Sequence, residues 1–142
     1  MIRRREAQGF VRHRFFPFLI CVIVLAACAP EAQRSSQPTE EELALITKAL
    51  ALPEGDSRTG EKIYRVQCIT CHNVDPNKPG PVGPQIAGTD RRVLAYKVIS
   101  GKYPEGYEPR RETAIMTPLP KLAGTVHHLA AYLKGAALAS RR

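Results

Sequence analysis

Tryptophan is absent from this chain, aromatic residues make up only 6% of its 142 residues, and there are just two methionines. With so few large apolar side chains, a small domain has a thin core that side chains alone fill poorly. Cysteine is sparse as well. The four present are Cys21, Cys28, Cys68 and Cys71, too few and too unevenly placed for a disulfide framework. No stretch alternates apolar and polar residues over the length of a strand, and no segment repeats, so β-sheet and solenoid architectures are excluded. Acidic residues are almost missing from the first fourteen positions, where Arg3, Arg4, Arg5, Arg12 and Arg14 face only Glu6. About half of the formal net charge of +8 therefore belongs to that segment. The charge left over is scattered among acids and forms no basic face with aromatic or groove-reading elements, which argues against nucleic-acid binding.

After the arginines comes an apolar run of thirteen, Phe15 to Ala27 (FFPFLICVIVLAA), broken only by Pro17. At a helical rise of about 1.5 Å per residue it spans about 20 Å, short of the roughly 30 Å of a hydrocarbon core. Residues 1–27 thus read as a cleavable export signal rather than a membrane span. Leu25-Ala26-Ala27-Cys28 resembles the bacterial lipobox, in which the cysteine is acylated and becomes the new N-terminus. That implies a lipid anchor at Cys28 on the periplasmic side of a bacterial membrane, inner or outer undecided. A signal cut elsewhere, with Cys28 incidental, is the alternative. Arg4-Arg5 is followed by Glu6-Ala7-Gln8 and lacks the apolar pair of a twin-arginine signal, so export of the unfolded chain is expected.

Residues 28–52 are expected to hold the lipidated end, a flexible tether and one short helix. Ala29 to Pro38 (APEAQRSSQP) is polar and aperiodic. Thr39-Glu40-Glu41-Glu42 reads as a capping box opening a helix over 40–51, with Leu43, Ile46 and Leu50 at helical spacing. This helix either extends the tether or packs on the domain.

Residues 53–142 form the expected domain. Asp56 or Ser57 caps a helix running to about Gln67; Thr89 or Asp90 caps another that stops at Gly101; a last helix begins near Thr125. Gly60 inside the first of these implies that another backbone crosses closely there. Between the helices lie two irregular stretches, Asn73 to Gly88 and residues 102–120, both rich in proline. The fold class is all-α with long irregular loops, and loops of that length in a small domain call for a purpose.

Cys68-Ile69-Thr70-Cys71-His72 supplies one. Two thiols about one helical turn apart can reach the two vinyl groups of a single haem, with the next residue's imidazole on the iron. At this composition the pattern arises by chance roughly 0.003 times per chain. A structural zinc site would need a second ligand pair, for which only His13, His127 and His128 remain, and a redox dithiol would come with a βαβ pattern. Haem iron has a second axial face. Beyond Met1 the one thioether is Met116, in Ile115-Met116-Thr117-Pro118-Leu119-Pro120, inside the second irregular stretch and off any helical apolar stripe. His127 or His128 is the alternative ligand, although both read mostly as surface residues.

From Gly55 to Leu133, more than half of the chain resembles class I cytochromes c. The matching residues are Gly60 and Tyr64, Cys68, Cys71 and His72, Gly83-Pro84 with Ile86-Ala87-Gly88, Met116 followed by Pro118, and Ala131-Tyr132-Leu133. Thr117 departs from the proline that many relatives carry directly after the methionine. The resemblance implies a cytochrome c-like helical domain around one covalent haem c. It also implies that Gly60 and Tyr132 meet where the terminal helices cross, and that the Pro84 carbonyl accepts a hydrogen bond from His72 Nδ1 and tunes its basicity.

The function expected on this basis is single-electron transfer between protein redox partners with His72 and Met116 as axial ligands. No enzymatic activity and no small-molecule substrate are expected. Lys78, Lys97 or Lys121 would steer docking. The alternatives are a haem enzyme or gas sensor with an open iron position, and a fixed haem subunit of a respiratory or photosynthetic complex. Residues 102–111 have no assigned role: Tyr103, Tyr107, Arg110 or Arg111 could reach the haem propionates, but a solvated loop is the plainer reading.

Overall fold

The computed structural model describes residues 37–111 and 115–142; the signal segment, Cys28 and most of the expected tether lie outside the described residues. Among the described residues there are four α-helices, one 3-10 segment and no strand, so the all-α class holds.

Helix α1, Glu40–Ala51, starts with the expected capping box. Thr39 Oγ1 accepts the Glu42 N–H at 3.2 Å, and Glu42 Oε2 accepts the Thr39 N–H at 2.8 Å. Three glutamates in its first turn complement the positive end of the helix dipole. The helix buries Ile46 and Ala49 in the common core, and the described residues make one compact unit, so α1 belongs to the body of the domain rather than to the tether. Two side chains fasten it. Arg91 Nη2 donates to the carbonyls of Ala49 and Leu52, both at 2.7 Å, which satisfies orphaned groups at the C-terminus of α1. Lys102 donates to the Gln37 carbonyl and lies 3.7 Å from Glu42 Oε2.

Helix α2, Ser57–Gln67, is capped by Asp56, whose carboxylate accepts the Thr59 N–H at 2.7 Å; hydrogen bonding to the Thr59 side chain first, and to its N–H second, holds the Asp56 carboxyl below its usual range. Helix α3, Arg91–Ser100, opens on Asp90 and ends at Gly101 in the left-handed conformation (φ 71°). Its buried residues are Val93, Leu94, Ala95, Val98, Ile99 and Ser100, so it runs through the middle with apolar groups on most sides. Helix α4, Val126–Ala139, starts within one residue of the expected Thr125 and is preceded by a 3-10 segment over Pro120–Thr125 that the proline-rich pattern does not announce.

The closest pairing is between α2 and α4. A Cβ on Gly60 would run into the backbone carbonyl of His128 and the Tyr132 side chain, so the missing side chain is what lets the two helices approach. Tyr64, fully buried, packs against Tyr132 at this crossing with ring centroids 5.3 Å apart. His127 and His128 depart from the surface role expected of them. Both are half-buried at the crossing with their rings 3.9 Å apart, and His128 Nδ1 accepts the Asp56 N–H at 2.8 Å, tying the start of α2 to α4. With neither Trp nor Phe among the described residues, the core is Tyr64 plus aliphatic side chains such as Ile46, Ile99, Leu129 and Leu133.

Candidate functional site

Helix α2 runs directly into the cysteine motif. The Cys68 N–H still bonds the Tyr64 carbonyl at 2.9 Å, and the Cys71 and His72 N–H groups both return to the Cys68 carbonyl, at 3.2 and 2.9 Å. One helix end and one tight turn therefore set Cys68, Cys71 and His72 relative to each other. The Cys71 carbonyl in turn accepts the N–H groups of Val82 and Gly83, folding residues 80–83 back across the motif. The first irregular stretch is held by its own polar side chains: Asn73 Oδ1 accepts the Asp75 N–H, Asp75 Oδ1 accepts the Asn77 N–H, and Pro76 O accepts from Ile86 and Ala87. Tyr64 Oη donates to the Asn73 carbonyl at 2.6 Å, and burial raises its pKa.

His72 is 9% exposed, and its Nδ1 lies 2.9 Å from the Pro84 carbonyl. A carbonyl can only accept, so Nδ1 carries the proton of this bond, and Nε2 is the ring nitrogen left to face another partner. Gly83 lies flat against the ring, where a Cβ would collide with the imidazole. The residue pair Gly83-Pro84 thus serves one side chain: glycine makes room for it and the proline carbonyl orients it.

His72 opens onto a cavity of about 300 Å³. Apolar side chains line most of it: Leu94 and Val98 from α3, Leu129 and Leu133 from α4, and Ile86, Leu119 and Leu122 from the connections. Cys68, Cys71, Pro84 and Met116 line it too, so all five residues expected at the site meet at one cavity. Met116 reaches it from the far stretch because that stretch is pinned to α3. The Leu119 N–H donates to the Val98 carbonyl at 2.6 Å, and Pro118 packs against Gly101. His127 and His128 do not line the cavity, which leaves the bis-His alternative without a ligand.

The chemistry of this donor set separates the readings. Among the described residues no three of His, Cys, Asp or Glu gather as metal ligands, so a protein-only zinc site is not provided. Burial, followed by the neighbouring Cys71, pushes the Cys68 thiol up to about 11, the opposite of the depressed thiol of a redox dithiol. A large, flat, mostly apolar group with one imidazole and one thioether against it fits instead: the lining is apolar, the two thiols border it, and glycine clears the space beside the ring.

The stretch 102–111 is also part of this wall, although Glu105, Gly106, Glu108 and Arg110 remain exposed to solvent. Tyr103, Tyr107, Arg110 and Arg111 line the cavity together with Lys97. Periodicity could not reveal this, because the stretch has none; the signal available was its pairing of tyrosines and arginines. Lys97 is not a free docking cation. Its Nζ donates to the Gly101 carbonyl at 2.7 Å, lies 4.4 Å from the centre of the Tyr103 ring, and has its pKa lowered by burial. Lys78 sits 3.7 Å from Asp75 Oδ2, while Lys121 is exposed. The cavity rim is apolar where Val82 and Ile115 are exposed, the latter at 66%.

No protein-family model, no curated protein and no solved structure matches this chain.

Proposed function

We propose that this protein is a single-electron carrier of the cytochrome c type, built on one covalently attached haem c and anchored by lipid to the periplasmic side of a bacterial membrane. The observation that carries the reading is the convergence of Cys68, Cys71, an Nδ1-protonated His72 and Met116 on one mainly apolar cavity. A haem bound there supplies an Fe(III)/Fe(II) couple.

Cys68 and Cys71 would hold it by adding S–H across its two vinyl groups, a step that consumes no oxidant. With Cys68 largely buried and its thiol pushed up, the attachment suits a chain that has not yet folded. His72 and Met116 would both hold the iron, which would leave it closed to a substrate, and a thioether favours the reduced state over a second imidazole. The apolar residues around the cavity exclude water and disfavour the ferric charge. Val82 and Ile115 at the rim would meet the redox partner, with Lys121 the steering cation.

Replacing Met116 by alanine tests the ligation. The oxidised wild-type protein is expected to show a Met-to-Fe(III) charge-transfer band and no CO binding when reduced, and Met116→Ala should lose the band and bind CO. A wild-type protein that lacks the band and takes up CO or cyanide at once has an open iron, and the enzyme or sensor reading then replaces the carrier. Lipidation is tested separately: Cys28→Ser should move the protein from the membrane pellet to the soluble fraction, and retention in the pellet would remove the anchor from the proposal.

A further inference from the structure

We infer that Arg110 and Arg111 form a cationic clamp for the two peripheral carboxylates of the haem; this rests on the haem reading above and concerns residues that the cytochrome c resemblance leaves without a role. The cavity is polar along one part of its wall. There the stretch 102–111 contributes two guanidinium groups and the stacked rings of Tyr103 and Tyr107, 5.1 Å apart.

Each guanidinium makes one bond to the strip that holds His72. Arg110 Nη1 donates to the Gln85 carbonyl at 2.7 Å, and Arg111 Nη1 donates to the Val82 carbonyl at 2.9 Å. A guanidinium carries five N–H donors, so each keeps most of its donors after that bond. Among the described residues, neither pairs with a carboxylate. Arg110 is exposed and Arg111 half-buried, so both guanidinium groups stand at the edge of the cavity, and their planar forks match carboxylates in shape. Lys97, the other cation on this wall, is already taken up by the Gly101 carbonyl and the Tyr103 ring.

The clamp has an electrical consequence. Carboxylate charge near the iron favours Fe(III), and guanidinium groups cancel it and hold the carboxyls ionised at neutral pH. The midpoint potential of the wild-type holoprotein is therefore expected to be nearly flat between about pH 6 and about pH 8. In Arg110→Gln/Arg111→Gln the carboxyls should release protons inside that window, so the potential falls as pH rises. At neutral pH the Fe(II)/Fe(III) equilibrium should shift tenfold or more toward Fe(III), about 59 mV for one electron. Lys121→Gln removes one unit charge, as each single arginine variant does, but from an exposed residue outside the cavity, and should shift it far less than Arg110→Gln or Arg111→Gln alone. Arg110→Lys/Arg111→Lys should restore most of the potential. If the double variant takes up too little haem, Arg110→Gln and Arg111→Gln measured singly should each show part of the shift and slope.

A coloured protein whose arginine variants match Lys121→Gln and stay flat with pH overturns the clamp and leaves the carrier intact. A colourless wild-type protein, produced where haem attachment is available, overturns both.

Discussion

Replacing Cys68 and Cys71 together by serine is expected to give a protein with no covalently retained haem, seen as complete loss of haem staining on a denaturing gel, whereas either single variant keeps one link. The loss should reach the fold. The cavity of about 300 Å³ is bordered by core residues of α3 and α4, including Leu94, Val98, Leu129 and Leu133. At about 24 cal/mol per Å³, an unfilled space of that size costs at most about 7 kcal/mol. That is comparable to the whole net stability of a small domain, roughly 5–15 kcal/mol. The serine variant should therefore lose its cooperative thermal transition, while the thioether-linked protein keeps it. A serine variant that melts as sharply as the wild type would mean that the side chains fill their own core, contrary to what their scarcity implies.

The second large effect is a reversal of sign between two glycines. In an open helix, Gly→Ala stabilises by about 1 kcal/mol. Gly135, in α4, has Ser57 Oγ 3.8 Å from where a Cβ would stand, an ordinary contact, so Gly135→Ala should raise the melting temperature by a few degrees. Gly60 sits against the His128 carbonyl, and Gly60→Ala should force α2 and α4 apart at a cost of about 3 kcal/mol, roughly 15 °C in a domain of this size. Thermal unfolding of the two holoproteins checks the pair. Equal and positive shifts would remove the tight crossing from the description.

Local chemistry made much of this fold legible in advance. Thr39, Asp56, Asp90 and Gly101 mark helix ends with side chains or conformations that act within three or four residues, and each marks an end where it was expected. Gly60 was legible because a helix interior penalises glycine, so a neighbour had to account for it. The cysteine motif was legible because thiol spacing limits what the two sulfurs can hold. Contacts between distant residues were not. Arg91 closing the end of α1 spans about forty positions, and nothing near Arg91 announces it. His128 accepting from Asp56 is similar, and without that bond a pair of histidines on a helix reads as solvated. The 3-10 segment over Pro120–Thr125 was hidden because a proline-rich stretch reads as irregular, although proline suits the first position of such a turn. Residues 102–111 show the same limit at the site itself: an aperiodic stretch says what it carries, and only its path across the cavity says what it faces.

Fastening α1 to the body also sets a leash length. Were Cys28 lipidated as proposed, a tether that included α1 would let the domain roam well away from the lipid; with α1 bound down by Arg91 and Lys102, the tether would be no longer than the residues between Cys28 and Gln37. Fully stretched at about 3.5 Å per residue, they reach roughly 30 Å. If the chain is the lipid-anchored carrier proposed above, it would exchange electrons only with sites close above the bilayer, and its supply to them would be governed by lateral diffusion in two dimensions rather than by concentration in the surrounding volume.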